Sequence, residues 1–127
     1  MYAYEIMTKK VRTISPDKTA FDAAKVMKRY DIGAIPVLDE HGKIVGIVTE
    51  SDIFRSVAAK DLLPSTIKVK KIMTKKVVSG PPDMKVHELN GLLYTNNIRR
   101  MLIVDDGKLV GIVSASDLIR QAYHWEK

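Results

Sequence analysis

The chain has no cysteine, a single tryptophan, two phenylalanines and one glutamine in 127 residues. Without cysteine there is no disulfide, no thiolate nucleophile and no cysteine-ligated zinc or iron–sulfur centre. No apolar run approaches the ~20 residues that a membrane-spanning helix needs. The opening Met1-Tyr2-Ala3-Tyr4-Glu5 also lacks the basic start and apolar stretch of a signal peptide. These absences predict a soluble, cytoplasmic protein with no membrane partner. His41, His87 and His124 share no ligand spacing, so no metal site is expected. No nucleophile–base pair or glycine-rich phosphate loop is present, so neither an enzyme nor a catalytic cofactor is expected.

What the chain does contain is itself, twice. Ile6-Met7-Thr8-Lys9-Lys10-Val11 returns unchanged as Ile72-Met73-Thr74-Lys75-Lys76-Val77, and Pro16-Asp17, Ile32 and Asp39 recur as Pro82-Asp83, Ile98 and Asp105 at the same 66-residue offset. The turn Glu40-His41-Gly42 is shortened to Asp106-Gly107, after which Gly42 to Asp52 matches Gly107 to Asp117 at an offset of 65. A turn is where a one-residue gap costs least. The reading is repeat 1 over 6–64, a linker over 65–71 and repeat 2 over 72–124. A unit of about 60 residues has a marginal core, so the two copies are expected to pack face to face about a pseudo-twofold axis.

Each copy reads as strand, helix, strand, strand, helix, an α/β (α+β) pattern. In the first copy Val11 to Ile14 is extended and Ser15-Pro16-Asp17 turns the chain. A helix follows from the N-cap Thr19 to about Tyr30, with Phe21, Ala24 and Met27 at helical spacing. Ile35–Leu38 and Ile44–Val48 form an antiparallel hairpin, in which Pro36 is tolerable only at a strand's start or edge. A second helix begins near Thr49, with Ile53, Phe54 and Val57 apolar. The second copy predicts an extended Val77-Val78, a helix from about Met84 to Tyr94 burying Leu89, Leu92 and Leu93, strands at Met101–Val104 and Leu109–Val113, and a last helix from Ser116 to about His124. Thr66 to Val69 is a candidate extra strand. Trp125 is a candidate contact for a partner copy.

The densest motif is Gly46-Ile47-Val48-Thr49-Glu50-Ser51-Asp52 with its counterpart Gly111-Ile112-Val113-Ser114-Ala115-Ser116-Asp117. It lies where a strand enters a helix. Thr-x-x-Asp and Ser-x-x-Asp there are close variants of a capping box. The same groups suit a nucleotide: free amides at a helix N-terminus favour phosphate, a carboxylate accepts both hydroxyls of a ribose, and glycine permits close approach of backbone and ligand. The sequence leaves both readings open.

With Ile-Met-Thr at 6–8 and 72–74, Ser15-Pro16-Asp17, Gly33-Ala34-Ile35-Pro36-Val37 and the Gly-x-x-Thr/Ser-x-x-Asp signature in both copies, nearly the whole chain resembles a tandem cystathionine-β-synthase (CBS) pair, or Bateman module, of the stand-alone kind. The resemblance implies a regulatory module with two clefts that bind adenosyl compounds, and a homodimer read by an unknown effector protein. By matching position, Asp52 and Asp117 would hold ribose hydroxyls, with Thr49, Ser51, Ser114 and Ser116 near ribose or phosphate. Thr13, Ile14 and Ser15, and Val78 and Ser79, would line the base pockets, while Gly33, Ala34, Ile35 and Pro36 would offer backbone to adenine. The second copy has Arg99, Arg100 and Met101 in that last place, where the arginines resemble the basic pair that grips phosphate in the γ subunit of AMP-activated protein kinase. The alternative is that Arg99 and Arg100 are solvated or pair with Asp105 or Asp106. If they reach a ligand, that cleft prefers AMP, ADP or ATP over cationic S-adenosylmethionine.

Two other functions compete with this one. A scaffold would use the fold only to dimerise, its aspartates acting as caps. A nucleic-acid binder would exploit the net charge of +6, but few aromatics are available for stacking.

Overall fold

The structure, a computed structural model, describes residues 1–125; the side chains of His124 and Trp125 lie outside the described residues. In chain order the elements are α1 (Ala3–Ile6), α2 (Ala20–Tyr30), β1 (Ala34–Leu38), β2 (Ile44–Thr49), α3 (Glu50–Ser56), α4 (Val69–Ile72), β3 (Ser79–Gly80), α5 (Val86–Thr95), β4 (Arg100–Asp105), β5 (Lys108–Ser114) and α6 (Ala115–Trp125). Short 3-10 turns cover Ala58–Lys60 and Pro64–Thr66. The proposed strand over Thr66 to Val69 is not formed. Lys68 makes a single bridge to Thr19, and the chain then coils into α4.

The packing units are cut differently from the sequence repeats. One unit is Arg12–Val77, and the other joins Met1–Val11 to the chain from Val78 onward. Each unit therefore contains a segment that precedes the other copy in sequence.

In the unit of residues 12–77, Thr19 caps α2. Its hydroxyl accepts from the Asp22 amide at 3.1 Å while the Asp22 carboxylate accepts from the Thr19 amide at 3.0 Å. Such caps contribute about 1 kcal/mol. The helix ends at Asp31 in the left-handed region, φ 53°. Its core face is Ala20, Ala23 and Met27 rather than the expected stripe through Phe21, which is 48% exposed with the Lys25 ammonium over its ring. The small residues let the helix lie close to the hairpin, where Ile35, Val37, Val48 and Val57 are fully buried with it.

The two units differ at their parallel edge for one covalent reason. Leu102 donates its amide to the Val78 carbonyl at 3.2 Å, and β3 pairs with β4 as a two-residue strand. Pro36 occupies the matching place in the first copy and has no amide to offer the Arg12 carbonyl. Pairing there stops at one bridge, with the Ile14 amide donating to Pro36 at 3.1 Å and the Leu38 amide donating to Ile14 at 3.0 Å. The one-residue gap between copies falls in the hairpin turns, as expected. Asp106 and Gly107 form a two-residue turn with φ 51° and 77°. In the longer turn the Asp39 carboxylate takes the amides of His41 and Lys43, both at 2.9 Å.

At the outer edges of the hairpins the repeated Ile-Met-Thr segments are docked. Thr74 exchanges backbone hydrogen bonds with Ile47 on β2 at 2.8 and 3.0 Å, and Thr8 does the same with Ile112 on β5 at 2.9 and 3.1 Å. The methionine before each threonine crosses a glycine. A Cβ on Gly46 would lie 2.9 Å from both the Met73 sulfur and the Thr74 carbonyl, and one on Gly111 would collide with the Met7 sulfur. The motif glycine thus makes room for the protein's own chain.

Gly46→Ala and Gly111→Ala should each destabilise the protein by ~1–3 kcal/mol through overpacking. Gly91→Ala, where nothing lies within 4 Å of the added carbon on α5, should stabilise it by roughly 0.5–1 kcal/mol. Urea unfolding with an unchanged m-value checks both. Acid should also report the turns and caps. Amide donation by Thr19 holds the Asp22 carboxyl below its usual range, and amide donation by Lys43 does the same for Asp39. A folded-state value below the unfolded one gives stability that is present above about pH 4 and is lost as pH falls through the folded value. The double variant Asp22→Asn/Asp39→Asn should therefore lose less stability than the parent between pH 5 and about pH 2, as read by thermal melts across pH.

Candidate functional site

The Thr/Ser-x-x-Asp motif sits at the junction of β2 with α3 and of β5 with α6, and the two junctions are built alike. The Thr49 hydroxyl accepts from the Asp52 amide at 3.1 Å, while Asp52 Oδ2 accepts from the Thr49 amide at 2.9 Å. Ser114 and Asp117 make the same reciprocal pair at 3.2 and 2.8 Å. The capping box read from the sequence is therefore formed in both copies. It uses one oxygen of each carboxylate and leaves the other for a second partner.

Those second partners differ. Asp52 is half-buried, and the Thr74 hydroxyl donates to it, 3.2 Å from Oδ1 and 3.4 Å from Oδ2. Asp117 Oδ1 instead accepts from the Arg120 guanidinium at 3.1 Å. One carboxylate meets a neutral hydroxyl and the other a cation. Neither Thr74 nor Arg120 is among the site residues expected from the sequence. Arg120 stands three residues from Asp117 on one helix, a spacing that signals contact. Thr74 is 22 residues from Asp52, and only the docking of its segment on β2 brings them together.

Around Asp52, Ala34 lies opposite Thr49 in the hairpin and the Glu50 amide donates to the Gly33 carbonyl at 3.0 Å. Gly33, Ala34, Thr49 and Asp52 thus share one patch, with Ser51 exposed on the first turn of α3. Ile35 and Pro36 are buried, and Ile35 packs in the core, so it offers a ligand only backbone. Ile14 is held to β1 by its backbone, whereas the exposed Thr13 and Ser15 border a cavity of about 480 Å³ along α2 that also meets Lys18, Lys25 and Arg29. The Ser15 hydroxyl is already engaged, accepting from the Asp17 amide at 3.2 Å.

Around Asp117, Arg100 lies opposite Ser114 and the Arg99 carbonyl accepts from the Ala115 amide at 2.7 Å. Arg100 is half-buried and Arg99 exposed. Among the described residues neither is paired with Asp105, Asp106 or any other acid. Arg100, opposite Ser114, and Arg99, through its carbonyl on Ala115, both stand at the α6 N-terminus, whose own dipole is positive. Met101 is fully buried in the core with Leu89 and Leu93, so its side chain is a packing group. Val78 is half-buried against the same core, while Ser79 and Ser116 are exposed. No group of three or more histidines, aspartates or glutamates capable of holding a metal ion occurs among the described residues, and none of their helices is long and apolar enough to cross a membrane.

A family model for the CBS domain matches residues 3–59 and 69–124. The chain is 40% identical over 114 residues to the CBS domain-containing protein YhcV of Bacillus subtilis, covering 90% of this chain and 80% of that one. It is 39% identical over 120 residues to inosine-5'-monophosphate dehydrogenase of Methanocaldococcus jannaschii, where 94% of this chain spans only 23% of the enzyme's length. Among solved structures, the CBS domain pair of protein MJ0100 in complex with 5'-methylthioadenosine and S-adenosyl-L-methionine matches with a TM-score of 0.87 at 30% identity, covering 100% of this chain and 98% of that one. With both repeats matched in tandem and each closing its helix with the same hydroxyl–aspartate box, the chain belongs to the CBS domain family and is a CBS pair, a regulatory module.

Proposed function

We propose that the module senses adenosyl compounds, binding them where the strand–helix junctions present a carboxylate oxygen at a helix N-terminus. The observation that carries this reading is the state of Asp52. Its capping duty occupies Oδ2, and Oδ1 faces a hydroxyl donor in Thr74. A ribose diol offers the same kind of donor and can take that place, each charge-assisted hydrogen bond contributing about 1.5–3 kcal/mol. The complex of the MJ0100 CBS pair with two adenosyl ligands supports the ligand class. Binding shifts the packing of the module, and a separate effector protein reads the shift, which is limited to the difference in affinity between the two states.

The two junctions bind differently. Arg100 stands beside Ser114 with no acid partner among the described residues and suits a phosphate through its forked donors. The Asp117 junction therefore prefers AMP, ADP or ATP, and Arg120 must release Asp117 for a ribose to enter. The Asp52 junction has Gly33 and Ala34 in place of the arginines and gives phosphate no such advantage, so S-adenosylmethionine competes best there.

A thermal-shift series with AMP, ADP, ATP and S-adenosylmethionine tests the reading, since ligand at ~100 times its Kd adds about 2.7 kcal/mol to stability. Each variant is compared with its own ligand-free baseline, because Asp52→Ala and Asp117→Ala also lose a cap. The double variant should show no ligand-dependent shift; a full shift in it, or none in the parent, refutes the proposal in favour of a scaffold. Arg100→Met should weaken AMP and ATP binding by about 10- to 100-fold while leaving S-adenosylmethionine unchanged, as measured by calorimetry.

A further inference from the structure

One flank of α2 carries charge that the duplication does not repeat. Lys18, Lys25 and Arg29 line the cavity of about 480 Å³ between this helix and residues 13–15, with Ile14 and Val26 as its apolar wall. Tyr30 lines the same cavity and gathers two guanidiniums, Arg12 at 3.8 Å and Arg29 at 5.6 Å from its ring centre. At the matching places of the second copy, 66 residues on, Arg12, Lys18, Lys25, Arg29 and Tyr30 are replaced by Val78, Met84, Gly91, Thr95 and Asn96. The inward positions of the helix behave oppositely. Ala23, Val26 and Met27 answer to Leu89, Leu92 and Leu93 and stay apolar, so packing does not demand the cations.

Little of this charge is neutralised within the protein. Among the described residues Arg12, Lys18 and Arg29 are in no ion pair, and Lys25 alone of the four has an acid, Asp22 at 3.5 Å. The nearby acids are engaged elsewhere: Asp22 accepts from the amide and the hydroxyl of Thr19, and Asp17 pairs with Lys70 at 3.2 Å. Holding Arg12 and Arg29 at one ring sets like charges close together, a repulsion that an anion beside them relieves.

We propose that this flank docks an acidic segment of the effector protein, an extended run of aspartate and glutamate side chains laid along α2. The proposal rests on the reading that an effector reads the module, and it names the surface and the chemistry of that contact. Spacing favours a peptide over a lone anion. Lys18, Lys25 and Arg29 are about 10 and 6 Å apart along the helix axis at ~1.5 Å per residue, more than one carboxylate or phosphate spans. An extended chain returns a side chain to the same side about every 7 Å. Arg12 and Arg29 offer forked donors that match a carboxylate. Nucleic acid fits less well, because the rings that could stack on bases are covered by the protein's own cations, Tyr30 by Arg12 and Phe21 by the Lys25 ammonium at 4.9 Å.

The probe is a fluorescein-labelled peptide of eight glutamates, titrated by anisotropy at low ionic strength with the full chain and no nucleotide. The parent should bind it, and Arg12→Gln/Lys18→Gln/Arg29→Gln should weaken binding about tenfold. Lys75→Gln/Lys76→Gln/Lys108→Gln removes the same charge from exposed lysines elsewhere and should change binding by less than about twofold. No binding by the parent, or equal loss in the two triple variants, overturns the proposal. So does displacement of the probe by tripolyphosphate, or by an oligonucleotide of eight thymidylates, at lower concentration than by unlabelled peptide. The first result would give the flank to a phosphate ligand and the second to nucleic acid. If the first triple variant melts below the parent, Arg29→Gln alone decides, with a loss of about threefold expected and none overturning the contact. A chain that is stabilised by AMP yet ignores the peptide refutes this contact and leaves the adenosyl reading standing.

Discussion

Everything else in the two units hangs on a methionine crossing a glycine. The Met73 side chain lies over Gly46 and Met7 over Gly111, and this close approach lets the following threonine reach the edge of the hairpin and exchange two backbone hydrogen bonds with it. A side chain at either glycine pushes that segment off. The same contact explains why the compact units ignore the repeat boundaries. The segment that opens each copy in sequence supplies the outer edge of the other copy's hairpin, so neither copy, cut at its own ends, has all of its hydrogen-bond partners.

The docking reaches the candidate site through Thr74. Because its backbone is pinned to Ile47, its hydroxyl is held against Asp52. The equivalent carboxylate, Asp117, is held by Arg120 from its own helix. Two junctions with the same capping geometry thus differ in what meets the second carboxylate oxygen, and Arg100 beside one of them widens the difference. Duplication supplied two copies of one capping geometry, and differences at a few positions set them apart.

Much of this was legible in the residues. Thr19 and Asp22, Thr49 and Asp52, and Ser114 and Asp117 announce their caps because a capping box is a local bond between residues three apart. The strands of both hairpins and the place of the one-residue gap are local in the same way. Phe21 stands off the core because helical spacing fixes which residues share a face but not which face turns inward. That is decided by how close the helix must come to the sheet, and Ala20 and Ala23 come closer than a phenylalanine allows. The loss of a strand at Ile14 also had a visible cause in Pro36, but the missing amide matters only once Arg12 is known to lie alongside.

By itself, then, the sequence determined the duplication, the order of helices and strands, the capping boxes and the CBS resemblance, all of which depend on residue identity and short-range spacing. Only the tertiary structure decided that the motif glycines face Met7 and Met73, that Thr74 meets Asp52, that Arg120 meets Asp117, and that Phe54 stands at the lip of a hollow between α2 and α3. Apart from Arg120, those contacts join residues far apart in the chain, or depend on which helix face turns inward. A pattern along one dimension carries no record of which distant segment will fill a given gap.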